Sequence, residues 1–172
     1  MKLYRGKIPV IASEIVTTLV DEGHVEINPE FKGEAEQDLM SIMHSYLRQE
    51  DRLKNEVKDY LAKEQLSFDH KGEVRREKAK EANHPIGDKV MPFLASQFNQ
   101  IIMNSPHFEE VYSEDKDIKT VIFNALRKHQ VNEDELRQEA REKLNNLDEN
   151  SLDFEILFPK ALAEVRRKRG LM

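Results

Sequence analysis

Two histidines stand in the same local pattern, His-x-Glu, at two places in the sequence. His24 precedes Glu26 and His107 precedes Glu109, and the two histidines are 83 positions apart. In an extended segment, residues i and i+2 point to the same face, so each histidine would lie beside its own carboxylate. Such a pair could act as an acid–base couple or supply two ligands to a metal ion.

A metal site needs more ligands than one such pair provides. The chain has no Cys, and no further ligand stands at a spacing diagnostic of a zinc enzyme. The pattern therefore favours histidines that cap a turn or pack between two parts of the molecule. We predict no metal, no cofactor and no catalytic residue, and keep His24, Glu26, His107 and Glu109 as the set that a metal-dependent enzyme would use.

Two basic segments could contact phosphate groups. On a helix, successive residues are about 100° apart, so a run of cations spreads positive charge around the helix. RNA or the ribosome would suit such charge better than duplex DNA. The structural alternative is that these cations only offset the macrodipole at helix ends. The candidate nucleic-acid contacts are Arg75, Arg76, Arg166, Arg167, Lys168 and Arg169.

The segment before the second basic cluster is amphipathic. It carries Phe154, Leu157 and Phe158 ahead of the basic tail, a combination found in helices that lie on anionic membranes. However, Leu152–Glu155 matches Leu66–Asp69 earlier in the chain, which favours a place in the core. Peripheral membrane contact is therefore disfavoured.

Composition restricts the class of protein. Charged residues make up 35% of the 172 positions, aromatic residues only 7%, and 33 acids against 27 bases give a net charge of −6. This mixture is typical of a helical protein with charged exposed faces. No stretch approaches the ~20 apolar residues of a membrane span, and the opening segment Met1–Lys7 lacks the apolar run of a signal peptide. We expect a cytoplasmic protein without a transmembrane segment.

The sequence repeats itself. Ile8–Ile15 is similar to Met91–Phe98, and Glu50–Glu56 is similar to Glu133–Glu139, both at the separation of 83 residues that relates the two histidines. Towards the C-terminus the separation grows, as small insertions in the second copy would produce. An internal repeat of this kind predicts duplicated structural units.

The duplication predicts two helical repeats, residues 1–82 and 83–172, that share one globular unit. Asn83–Gly87 supplies breaker residues at their boundary. Within each repeat, apolar spacing predicts about four helices and a short extended segment or strand at His-x-Glu. Each repeat is too short to bury all its apolar stripes, so we expect the two to pack about a pseudo-two-fold axis.

Some helix boundaries can be predicted locally. Ser113 and Asn132 each precede acidic residues, a pattern typical of N-caps. The apolar runs within 39–47 and 53–61 predict two separate helices in the first repeat. Pro159 should start or kink the last helix.

Five separated segments of the chain belong to one recognisable pattern: Met1–Pro9, Ala12–Val16, Ile86–Asp88, Leu126–His129 and Val165–Leu171. Together they resemble the bacterial family catalogued as domain of unknown function 507. The similarity runs from the Leu-Tyr-Arg-Gly-Lys opening to the Lys-Arg-Gly-Leu close. The resemblance implies an uncharacterised helical protein and carries no catalytic residue to this chain.

These observations favour a non-enzymatic binding or adaptor protein that contacts RNA or the ribosome through its basic helix ends. A first alternative is a protein–protein interaction or structural module that uses an apolar groove between the repeats. A second alternative is a metal-dependent enzyme built on the two His-x-Glu segments. The partner is then a protein or an RNA of unassigned identity.

Overall fold

The computed structural model describes residues 1–172. It contains seven α-helices and one two-stranded sheet. The prediction of a mainly helical protein is therefore confirmed. Four 3₁₀ turns, at Arg5–Lys7, Pro29–Phe31, Phe68–His70 and Gly87–Lys89, each lead directly into a helix. In chain order the elements are α1 (Ile8–Asp21), β1 (Val25–Glu26), α2 (Lys32–Lys63), α3 (Lys71–Glu81), α4 (Val90–Asn104), β2 (Glu110–Val111), α5 (Asp115–Lys128), α6 (Glu133–Glu142) and α7 (Leu152–Lys168).

The main core forms where α1 and α4 each pack against α2 and α5. Apolar residues at helical spacing, such as Ile11 and Ile15 in α1 and Leu94 and Phe98 in α4, are completely buried there. This core contains 24 buried residues drawn from both halves of the chain. Because burial of each large side chain contributes about 1.5–3 kcal/mol, the two halves stabilise one another.

The two extended segments form a minimal antiparallel sheet. β1 pairs with β2 so that Val25 lies opposite Val111 and Glu26 lies opposite Glu110. The ladder continues on one side, where the Tyr112 amide donates to the carbonyl of His24 at 2.9 Å. Of the two interpretations of the His-x-Glu segments, a strand or an extended loop, the strand holds for the first segment, where Val25 and Glu26 form β1. In the second segment, His107 and Phe108 lie in a turn, and β2 begins only at Glu110.

Two helix pairs extend from the main core. The first helix pair is the C-terminal half of α2 with α3, and its small core includes Leu53, Val57 and Val74. The second helix pair is α6 with α7, and its core includes Leu136 and Val165. Both basic segments therefore lie on helices outside the main core.

The first half contains fewer helices than its sequence predicts. The two runs expected to form separate helices join in α2, which is 32 residues long. Between Leu47 and Leu53 stand only charged residues and Gln, without Gly or Pro, so no breaker residue interrupts the helix. In the second half, the Asn132 side chain accepts a hydrogen bond from the Asp134 amide at 3.0 Å and caps α6 as predicted.

Two other boundaries differ from the prediction. Ser113 does not cap α5, whose N-cap is Glu114, because its hydroxyl is hydrogen-bonded to His24 Nδ1 at 2.7 Å. Of the two outcomes expected of Pro159, a helix start or a kink, the start is wrong, because α7 begins at Leu152 and continues across the proline. The proline removes one N–H group from the helix.

The apolar residues of α7 are divided between core and solvent. Leu162 and Val165 are buried in the second helix pair, whereas Leu152 and Ile156 are 69% and 51% exposed. No helix combines the length and the apolar character that a bilayer crossing requires.

Candidate functional site

Arg75 is bound by an acid on the neighbouring helix. Its Nη2 lies 3.0 Å from both carboxylate oxygens of Glu50 on α2. Oε1 of Glu50 also forms a hydrogen bond of 2.8 Å with His84 Nε2, and the His84 side chain is only 3% exposed. Arg75 therefore has a structural role inside the first helix pair.

Tyr46 closes the same network. Its ring stacks on the His84 ring at a centroid distance of 4.9 Å, and its hydroxyl donates to the Pro85 carbonyl at 3.3 Å. Burial of the phenol, reinforced by the nearby Glu50 carboxylate, raises the pKa of Tyr46 above its usual value. Two successive residues of the connection between the halves, His84 and Pro85, therefore contact side chains of α2.

Arg76 is in a different environment from Arg75. It is exposed and has no ion pair, because the next position lies about 100° further around the helix and faces away from α2. Lys80, one turn further along the same face of α3, is also exposed and unpaired. This face of α3 is therefore available to an anionic partner.

Arg166 is used to hold the N-terminal segment. Its Nη2 lies 3.0 Å from Glu133 Oε2, and Lys2 Nζ lies 3.1 Å from the same oxygen. The guanidinium also lies over the ring of Tyr4, 5.9 Å from the centroid. Burial lowers the pKa of Lys2, although the Glu133 carboxylate opposes that shift.

The remaining cations at the end of α7 fall into two groups. Arg169 binds Glu139 on α6 through Nε at 3.0 Å and Nη2 at 2.8 Å. Arg167 and Lys168 are exposed and have no acidic partner. Of the six candidate contacts, three are held by acids of the chain itself, and three remain unpaired. We call Arg76, Arg167 and Lys168 the free cations.

The two His-x-Glu segments have different partners. His24 lies between Ser113 and Glu22, with its Nε2 3.1 Å from the Glu22 carboxylate. His107 Nδ1 lies 2.8 Å from Asp38 Oδ2. No group of three or more His, Cys, Asp or Glu side chains converges to hold a metal ion.

The glutamates of these segments are also occupied or remote. The Glu26 carboxylate accepts a hydrogen bond from the Tyr112 hydroxyl. Glu109 is exposed and contributes its backbone amide, which donates to the Glu26 carbonyl at 3.0 Å. The sheet thus uses these residues to join the two halves.

Ser105, His107 and Asp38 have the residue types of a hydrolase triad but not its geometry. Ser105 Oγ donates to Asp38 Oδ2 at 2.5 Å, and His107 Nδ1 bonds to that same oxygen. In a triad, the histidine stands between the acid and the nucleophile and receives the hydroxyl proton. Here the Ser105 hydroxyl donates its hydrogen bond to the acid instead of to the histidine, so the cluster fixes the end of α4 against α2.

The chain is mainly helical, and exposed, unpaired cations from both basic segments lie on the two peripheral helices α3 and α7. The chain belongs to the family described as Protein of unknown function (DUF507), whose model matches residues 1–171. The match covers nearly the whole chain and confirms the resemblance seen in the sequence. No curated protein matches the chain.

Proposed function

We propose that this chain is a non-enzymatic cytosolic binding protein that contacts RNA, alone or in the ribosome, through the free cations. The observation that carries this proposal is their lack of partners. The chain has 33 acids for 27 bases, so acidic partners are abundant, and Arg75, Arg166 and Arg169 all have one. Exposed cations that remain unpaired despite this excess of acids can bind phosphate without first breaking an intramolecular ion pair.

We further propose that the two halves, residues 1–82 and 83–172, are related by a pseudo-two-fold axis. Three features support this. α1 and α4 stand at matching positions in the sequence and contact the same two helices. β1 and β2 pair antiparallel, as equivalent strands across a two-fold axis would. Each half also ends in a peripheral basic helix. Two related basic surfaces would let one protein contact a single RNA at two points.

Salt-dependent binding tests the RNA proposal. A labelled single-stranded RNA is titrated with the intact protein at several salt concentrations. If the three free cations contact phosphates, log affinity should fall with log salt with a slope of about 2, since each contact on single strands contributes ~0.7. No binding at low salt would contradict the proposal.

Charge reversal of the free cations on α7 provides the matched comparison. The double variant Arg167→Glu, Lys168→Glu should weaken binding and reduce the salt slope by about 1.4. Lys160→Glu is the control because Lys160 is also exposed and unpaired on α7 but lies two turns away from the cluster. Lys160→Glu changes the net charge by about half as much as the double variant, so a loss in the control of half the size or more would show a nonspecific effect of net charge.

A protein–protein interaction module is the second candidate, favoured by the exposed apolar residues of α7. Leu152, Ile156 and Leu157 are 69%, 51% and 37% exposed. The apolar faces between the halves are buried in the main core, so this candidate would bind at the start of α7 rather than in a groove between the repeats. In that case Ile156→Lys should abolish recovery of a protein partner in a pull-down, while the double α7 charge variant should not.

A further inference from the structure

A cavity of about 640 Å³ lies where α3, the connection between the halves and the start of α4 meet. Its volume is within the range of roughly 300–1,000 Å³ that is typical of small-molecule sites. Arg76 and Lys80 line it from α3, and Lys89 lines it from the turn that precedes α4. Cations from two separate elements therefore border one space.

The charge of this cavity is unbalanced. Arg76, Lys80 and Lys89 are all exposed, and none forms an ion pair. Asp88 is the only acidic residue in the lining. Three like charges around one space repel one another, and an anion between them relieves that repulsion. The excess of cations is local, because the chain as a whole carries −6.

An apolar wall stands beside the cations. Pro85, Ile86 and Phe93 line the cavity and are only partly exposed. Aromatic side chains are the surfaces on which nucleobases stack in proteins that bind single-stranded nucleic acid. A nucleoside phosphate has the matching composition, since its phosphate is anionic and its base is flat and apolar on both faces.

One wall of the cavity, the connection between the halves, is fixed by hydrogen bonds. His84, which also lines it, is held by Glu50 and stacked on Tyr46. The Gly87 carbonyl accepts a hydrogen bond from the α-amino group of Met1 at 3.0 Å. This wall is therefore preformed, and preformed parts of a site lose less conformational entropy when a ligand binds.

We propose that this cavity binds a terminal nucleoside phosphate, with the phosphate on Arg76, Lys80 and Lys89 and the base against Phe93. The ligand is the phosphorylated end of an RNA or a free nucleotide, which share this chemistry. Where the ligand is an RNA end, this inference rests on the proposed function. It adds that the contact at α3 recognises the terminus of the RNA, whereas the contact at α7 does not.

Paired RNA ligands test the proposal. The intact protein is titrated with one oligoribonucleotide carrying either a 5′-phosphate or a 5′-hydroxyl, and with adenosine diphosphate as the free nucleotide. The 5′-phosphorylated RNA should bind at least about tenfold more tightly, as expected for a charge-assisted hydrogen bond of ~1.5 kcal/mol or more. Adenosine diphosphate should compete with it if the site accepts free nucleotides.

Variants locate the effect. Lys80→Glu and Lys89→Glu should each remove the preference for the 5′-phosphate. Both side chains are exposed and unpaired, so neither change should disturb folding, which circular dichroism verifies. Lys58→Glu is the control because Lys58 is also exposed and unpaired, on α2, and lies outside the cavity lining.

The outcomes separate this inference from the proposed function. Equal affinity for the two RNAs without adenosine diphosphate binding overturns the cavity site and leaves the α7 contact in place. Binding of adenosine diphosphate with no affinity for either RNA upholds the cavity and contradicts the RNA proposal. The same loss in Lys58→Glu as in the cavity variants overturns the assignment of the site.

Discussion

Gly6 lies in backbone contact with Gly170: a β-carbon at Gly6 would stand 2.1 Å from the Gly170 carbonyl oxygen. Gly170 itself has a φ of +63°, a conformation that L side chains rarely adopt. Beside this contact, Tyr4 and Leu171 are buried in the core of the second helix pair. The first and last segments of the chain, far apart in sequence, thus form one packed unit.

Gly6→Ala should destabilise the protein by about 2–3 kcal/mol, because the new methyl group would overlap backbone atoms of Gly170. Only a movement of the backbone can relieve this overlap. Gly33→Ala is the matched control. A β-carbon at Gly33 meets nothing within 4 Å, so alanine there should be neutral or stabilise α2 by up to ~1 kcal/mol. Urea unfolding measures both free energies. Equal stability of the two variants would contradict the contact.

Glu50→Ala should cost about 2–3 kcal/mol of unfolding free energy. Glu50 is the shared acceptor of Arg75 and His84, and its loss leaves the nearly buried His84 ring without its carboxylate. Asp51→Ala is the control at the next position. Asp51 is 52% exposed in its pairs with Arg5 and Lys54, so its loss should cost under about 1 kcal/mol. Denaturant titration compares the two variants, and similar costs would argue against the buried network.

Glu14 should make stability depend on pH in the acid range. Burial disfavours its charge, but hydrogen bonds from Lys128 and His129 outweigh that effect and hold its pKa below the usual 4.5. As the pH falls, the unfolded chain binds this proton at a higher pH than the folded protein does. The stabilisation that the ionised Glu14 provides is therefore complete above pH 4.5 and is lost as the pH falls through the folded pKa.

Glu14→Gln isolates this contribution. At pH 7 the variant should be less stable than the parent protein, by on the order of 1 kcal/mol. The difference should shrink as the pH is lowered from 4.5. Urea unfolding at a series of pH values measures it, and a difference that stayed constant down to pH 3 would disprove the assignment.

The second helix pair should open more readily than the main core. Its cluster contains seven buried residues against 24 in the main core, and regions with few buried contacts open locally at lower free energy. Hydrogen exchange measured by mass spectrometry should show faster exchange in α6 and α7 than in α1 and α4.

Leu136→Ala tests whether this opening is local. Leu136 is fully buried in α6, and truncation should cost the second helix pair about 2–4 kcal/mol. Exchange should then accelerate in α6 and α7 with little change in α1. Equal acceleration in α1 would mean that the molecule opens as a single unit.

Sequence periodicity predicts the helices of the main core well because their apolar stripes are long and regular. Ile11 and Ile15 in α1, and Leu94 and Phe98 in α4, are all buried as the spacing indicates. The apolar runs within 39–47 and 53–61 form one helix, α2, instead of the two helices predicted. Apolar periodicity shows which face of a helix is buried, but it does not show where the helix ends. The absence of any breaker residue between Leu47 and Leu53 was the available signal.

Contacts between residues distant in sequence could not be predicted. Arg75 and Arg76 are adjacent and chemically identical, yet only Arg75 reaches Glu50, since the orientation of α3 against α2 decides which of them is paired. His84 stood in a segment predicted only as a breaker, and nothing local indicated that it is buried. Ser113 had the pattern of a cap, but His24, distant in sequence, binds its hydroxyl.

The shared main core has a consequence for dissection of the protein. Neither residues 1–82 nor residues 83–172 can shield their apolar helices alone, and β1 has its only strand partner in the other half. Expressed as separate polypeptides, the fragments should each be aggregation-prone and should recover a native fold when mixed. Such complementation would make the chain suitable as a split reporter.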